Sequence, residues 1–242
     1  MCWSEAASWS MVAAGGAMTV ATARRGDPLA IPVTFGYFTT MEALQGAGYL
    51  VVDACGSPAN QVVTYLSLLH IVFQPFFINA FAMELAPRSL GRGARTAVFV
   101  VCALCSALML LQLYPFDWAG PCREGAPLCG PALCTLSGDW HIAWTAPYNG
   151  LTVPFETMLG VWPGFPSYMV AAFALPLLYG AWRFVVFHAV AGPILAGLLT
   201  SNPNEMPAIW CLFSIGLLAM GLSPWMRARL SAPGGWGRPT TA

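Results

Sequence analysis

The chain has 242 residues, of which 57% are hydrophobic and only 8% charged, and its formal net charge is zero. A soluble domain carries about 25% charged residues, so a chain this depleted cannot cover a water-facing surface, and the lipid bilayer becomes its expected partner. The neutral balance argues against nucleic acid. All ten basic residues are Arg, so Schiff-base chemistry, and with it a seven-helix retinal protein, is excluded.

In chain order, a short acidic lead precedes the first apolar segment, 8–23. Ala21-Thr22-Ala23 resembles a signal-peptidase site, but no basic residue precedes the segment and Arg24-Arg25 follow it. That is the reverse of a secretory signal, so an uncleaved first helix is expected. Its run of Ala13, Ala14, Gly15, Gly16 and Ala17 suits close helix packing. Six more apolar segments follow, at 31–53, 61–83, 96–114, 164–182, 184–200 and 207–226. The expected fold is therefore all-α: one polytopic membrane bundle of seven transmembrane helices over residues 1–230, with a mobile tail at 231–242.

Arginine placement orients it. Nine arginines (24, 25, 88, 92, 95, 183, 227, 229 and 238) fall on one side and Arg123 alone on the other. The positive-inside rule then puts the N-terminus outside and the C-terminus in the cytoplasm of an inner or plasma membrane. Residues 1–7, 54–60, 115–163 and 201–206 are expected outside, and 24–30, 84–95 and the tail inside. Cys2, Cys55, Cys122, Cys129, Cys134 and Cys211 fall on or near the outer face, where disulfides form. At least one disulfide among Cys122, Cys129 and Cys134 is expected, with Cys2 or Cys55 available for another. A zinc site using His141 is the competing reading.

The long connection, 115–163, is rich in Pro, Gly and Trp and reads as a lid over the outer mouth. Trp118, Trp140, Trp144, Tyr148 and Trp162 suit the membrane–water interface.

Polar residues mark the candidate site. Glu42, Gln45, Tyr49 and Asp53 form one stripe on the second segment, and Asn60, Ser67, His70 and Gln74 form one on the third. Glu42 and His70 lie about 15 Å below the outer loop, close to the midplane. An ionisable side chain at that depth is costly and is read as functional. Facing each other across antiparallel helices, Glu42 and His70 would bind or conduct a proton, an ion or a small polar ligand. A metal- or haem-dependent enzyme using the same pair is the alternative, and a structural subunit associating with other membrane proteins or with itself is the second. His188 alone reads as packing. Cys2, Asp53, Asn60, His141 and Glu205 are the candidates at the outer mouth. The N-terminal Cys2 would chelate a metal if Met1 were removed, whereas Asn204-Glu205 reads chiefly as capping the last helix. No Ser–His–Asp set, P-loop, HExxH or haem CxxCH motif occurs, so no catalytic residue, metal or cofactor is assigned.

Met1-Cys2-Trp3-Ser4, Met41-Glu42 with Gln45, His70 with Gln74-Pro75, and Asn204-Glu205 with Pro207-Ala208-Ile209-Trp210-Cys211 together resemble an uncharacterised family of multi-pass membrane proteins. That resemblance implies the fold and no activity. Topology and Ser67-x-x-His70 are loosely similar to the alkaline-ceramidase and adiponectin-receptor hydrolases. The paired histidines of their last helix are missing, which removes the zinc site.

Overall fold

A computed structural model describes residues 3–86, 90–161, 163–211 and 213–231. Cys2, Arg88, Trp162, Arg238 and the tail from 232 onward lie outside the described residues.

Four long helices come first: α1 Glu5–Arg24, α2 Ala30–Tyr49, α3 Pro58–Leu85 and α4 Arg92–Leu113. Ser4 caps α1 by accepting from the Ala7 amide, with Glu5 in its first turn and Arg24 in its last, both matching the helix dipole. The small residues of α1 act in packing, as expected. A Cβ on Gly15 would lie 2.1 Å from Thr39 Oγ1 on α2, so only glycine permits this approach. Gly46 on α2 accepts the Trp9 ring of α1 in the same way.

Pro75 interrupts α3 and removes one backbone donor, and neighbouring side chains serve the carbonyls around it. Ser106 of α4 donates to the Val72 carbonyl at 2.7 Å, and Asn79 donates to the Pro75 carbonyl at 2.8 Å. Asn79 also bonds the Ala171 carbonyl, tying α3 to the next helical rod.

Two rods with wide turns follow. The first runs α6 Pro166–Met169, a π turn Val170–Ala174 and α7 Leu175–Leu178. The second runs α8 Trp182–Ala189, a π turn Val190–Ile194 and α9 Leu195–Leu199. The last is α10 Met206–Trp210 with α11 Phe213–Leu222, after which the chain bends by 106° into α12 Pro224–Leu230.

Among the described residues, three helices are long and apolar enough to cross a membrane: Pro58–Leu85, Arg92–Leu113 and Trp182–Leu199. The bent pair ending at Leu230 would make a fourth. This is fewer than the expected seven, for two reasons. Glu42, Gln45 and several threonines dilute α2, as Ser, Thr and Gly do α1; and the rod Pro166–Leu178 is short.

The all-α expectation also needs correction, because the lid contains a hairpin. Strands β1 Cys134–Ser137 and β2 Ile142–Thr145 pair antiparallel, with Cys134 opposite Thr145 and Ser137 opposite Ile142. A short helix, α5 Val153–Leu159, completes the lid. Trp144 and Tyr148 are buried rather than lying at an interface, because the lid packs into the same apolar core as the helices; Trp118 remains exposed. The disulfides are Cys122–Cys129 and Cys55–Cys134. Cys134 thus joins the α2–α3 connection, not its neighbours in the lid. In the chain-entropy model a loop of about 8 residues is worth about 2.5 kcal/mol and one of about 80 about 4.5 kcal/mol, so the longer crosslink contributes more.

The lid meets every helix end expected on the outer side. Trp3 before α1 donates its amide to the Trp140 carbonyl and stacks on that ring. Asn60 at the start of α3 bonds the backbone of Thr135 in both directions. Asn149 caps the end of α4 through the Leu111 and Tyr114 carbonyls. At the opposite end, Arg25 and Arg227 both donate to the Gly221 carbonyl of α11, and Arg183 donates to Arg229 and Ser231 carbonyls. Cations at exposed helix carbonyls oppose the dipole there.

Candidate functional site

The two polar stripes exist, but they do not meet. Tyr37 is the α2 residue that faces His70. Its hydroxyl donates to the His70 carbonyl at 2.6 Å, and the His70 Nε2 donates to the Tyr37 carbonyl at 2.7 Å. Glu42 comes five residues after Tyr37, about 140° further round the helix at 100° per residue. That rotation turns it toward α11, where its Oε1 accepts from the Ser214 hydroxyl at 2.7 Å. Gln45, one turn on, donates to the Ala208 carbonyl of α10. The Glu42/His70 pair is therefore corrected to two separate sets.

The His70 set is a satisfied chain. The ring carries its proton on Nε2, so Nδ1 accepts from Gln74 Nε2 at 3.5 Å. Gln74 Oε1 in turn accepts from the Tyr168 hydroxyl at 2.7 Å. The His70 ring is also stacked on Tyr37, with centroids 3.9 Å apart. Both ring nitrogens are used by fixed partners, so this histidine holds α2, α3 and α6 together. Ser67 bonds back to the Val63 carbonyl of its own helix and contributes nothing to the set.

The outer-mouth candidates fasten the lid. Asp53 accepts from the amide and hydroxyl of Ser137. Glu205 is fully buried: Oε1 accepts from the amides of Trp140 and His141, and Oε2 from the Thr200 hydroxyl at 2.6 Å. These bonds to a carboxylate are the stronger, charge-assisted kind, and they fix the hairpin tip to the α9–α10 connection. His141 Nδ1 accepts from the Ile142 amide at 2.7 Å and pairs with the Tyr49 hydroxyl at 3.0 Å. Burial pushes the pKa of His141 from its ordinary value down to about 3. Among the described residues no group of three or more His, Cys, Asp or Glu could hold a metal ion.

Beneath the lid lies a cavity of about 90 Å³, the feature that sequence reasoning missed. Pro127 and Leu128 of the lid border it together with Phe165, Met109 of α4 and Phe38 of α2. Its few polar groups are Gln74, Tyr168, His188, Trp210 and Cys211. The Trp210 indole donates to His188 Nε2 at 3.1 Å, and Phe173 and Phe213 stack on the His188 ring at 4.6 and 4.2 Å. Both π turns flank this cluster. In the second, Gly192 leaves the helical region (φ −107°, ψ −105°), and Trp210 occupies the space that a Cβ would need. π turns recur at functional sites because they shift side chains out of helical register. The proline and glycine at 192–193 were the available signal for this kink, and Gln74 was the one cavity residue singled out from its stripe.

No curated protein and no solved structure matches the chain, and nothing ties it to the ceramidase-type hydrolases. One family model matches residues 6–231, leaving the opening Met1-Cys2-Trp3-Ser4 outside, and by that match the chain belongs to a family of unknown function, DUF5765.

Proposed function

We propose that the protein is an integral membrane binding protein whose cavity takes a small, mostly apolar molecule carrying one hydrogen-bonding group. The observation that carries this reading is the apolar space of about 90 Å³ under a lid crosslinked internally and to the α2–α3 connection by two disulfides. A large apolar pocket with a few convergent polar groups is the usual form of a small-molecule site. A water needs about 10–15 Å³, so the volume exceeds a single solvent molecule several-fold, and apolar walls disfavour filling it with water. The Tyr168 hydroxyl and Gln74 amide would meet the ligand's polar group.

In this reading all seven apolar segments cross the membrane. The shorter and more polar rods are shielded by the longer ones, and the lid lies outside. The arginine cluster at the far end would then face the cytoplasm. Gln74 and Tyr168, at the cavity end of the His70 chain, bind by exchanging their mutual hydrogen bond for the ligand's; the His70 ring and Tyr37 are structural.

Binding of 4-fluorophenol to the purified chain in lipid nanodiscs, followed by fluorine NMR, tests the proposal. Saturable binding is expected for the native protein, with fluorobenzene weaker for want of a hydroxyl. Met169→Trp, which fills the cavity, should abolish saturation while the thermal midpoint is retained. Uptake that does not saturate, and is the same in both proteins, would rule the site out.

A further inference from the structure

Glu42 and Gln45 stand one turn apart on the same buried face of α2, 2% and 1% exposed. Each has an oxygen with no hydrogen-bond partner: Glu42 Oε2 and Gln45 Oε1. Their other polar atoms are engaged, Glu42 Oε1 by Ser214 and Gln45 Nε2 by the Ala208 carbonyl. The Ala208 carbonyl needs a donor, which fixes the orientation of the Gln45 amide. Two neighbouring acceptors cannot satisfy each other. A single proton on Glu42 Oε2 turns that atom into a donor, one helical turn from the orphan acceptor of Gln45. It also removes a charge that would otherwise sit unpaired in the interior.

Beside Glu42 is a void of about 10 Å³, lined by Met11 and Gly15 of α1, Thr39 of α2, and Ser214 and Leu217 of α11. It is close to the size of one water molecule and gives the carboxyl an exchange point at the α1–α2–α11 junction. The lining residues from α1 and α11 carry no titratable group. Among the described residues, Tyr49 of α2 and Cys211 after α10 are titratable side chains in electrostatic reach. Neither is a cation, so among the described residues the Ser214 hydroxyl on Oε1 is the group seen to favour a carboxylate there, and it leaves Oε2 unserved.

We infer that Glu42 is a proton-binding site, holding one proton from the aqueous phase on Oε2 and sharing it with Gln45. The inference goes beyond the cavity reading and does not depend on it. Phe38 borders both the void and the cavity, so the two sites are adjacent yet distinct. Loss of the proton would leave two orphan acceptors and a buried charge at the junction of α2 and α11, and would loosen that contact.

Infrared difference spectroscopy of the full chain in nanodiscs, native minus Glu42→Gln, reads the protonation state directly. At neutral pH a protonated-carboxyl C=O band should be present in the native protein and absent in the variant. Gln45→Leu should keep the band and move it to higher frequency, because its hydrogen-bond acceptor is gone. Carboxylate stretches in place of that band at neutral pH would overturn the inference. So would a band abolished by Na⁺ and retained in choline, which would make the site one for a metal cation. Should Glu42→Gln fail to fold, the Gln45→Leu shift decides alone, and an unmoved band refutes the shared proton.

Discussion

At the scale of single residues, a polar side chain is placed by which neighbour needs a partner. His141 sits fully buried, with Nδ1 occupied by the Ile142 amide and the Tyr49 hydroxyl, and its pKa lies near 3. The folded state therefore holds the imidazole neutral, while the unfolded chain takes up a proton near the ordinary 6.5. The unfolded state binds more protons between these values. The stability linked to His141 is thus fully present above about pH 6.5 and is lost as pH falls toward about 3, on the order of 5 kcal/mol in all. Thermal midpoints measured across that range should fall, and His141→Asn, which retains an acceptor in the Nδ1 position, should flatten the acid limb. An unchanged limb in that variant would mean that other groups titrate. His141 and Glu205 were recognisable as exceptional residues in the sequence. Their role in clamping the lid was not, because it depends on amides of a hairpin far away in the chain.

At the scale of elements, the π turns decide what the helices present to the interior. Gly192 is the position where this can be tested. A Cβ there would lie 2.3 Å from Trp210 Nε1 and 2.6 Å from its Cδ1, with no flexible chain end able to yield cheaply. Gly192→Ala should therefore displace the indole, break its bond to His188 and destabilise the protein by about 1–3 kcal/mol. The intrinsic fluorescence should shift, and 4-fluorophenol binding should weaken together with it. Retained fluorescence and stability would show that the kink absorbs the methyl. Pro193 next to Gly192 made a break legible in the sequence; for the turn at 170–174 the signal was Pro176, which cannot bond the Ala172 carbonyl one turn back.

For the whole molecule, the lid gathers the helix ends at one face, and the described arginines other than Arg123 gather at the other. Topology is checked by introducing single cysteines at exposed positions, Ala94→Cys and Glu124→Cys, after blocking accessible native thiols; Cys102, Cys105 and Cys211 are buried. An impermeant maleimide should label position 124 in intact cells and position 94 only after permeabilisation. The reverse pattern would invert the orientation.

The sequence by itself determined the membrane-like composition, the succession of apolar segments, the arginine asymmetry and the set of cysteines from which both disulfides are drawn, because each of these is a property of local composition and order along the chain. It also marked Glu42, Gln45, His70 and Gln74, since a polar residue in an apolar run stands out without any structure. Only the tertiary structure decided what those residues meet. A rotation of about 140° between Tyr37 and Glu42 sends one to α3 and the other to α11, and periodicity gives that angle but not which neighbour waits at each end of it. The pairing of Cys55 with Cys134, the burial of Trp144 and the cavity roofed by Leu128 are set by contacts between segments distant in the chain. Such contacts leave no spacing pattern to read, because they are fixed by shape and by the hydrogen bonds that buried groups must find.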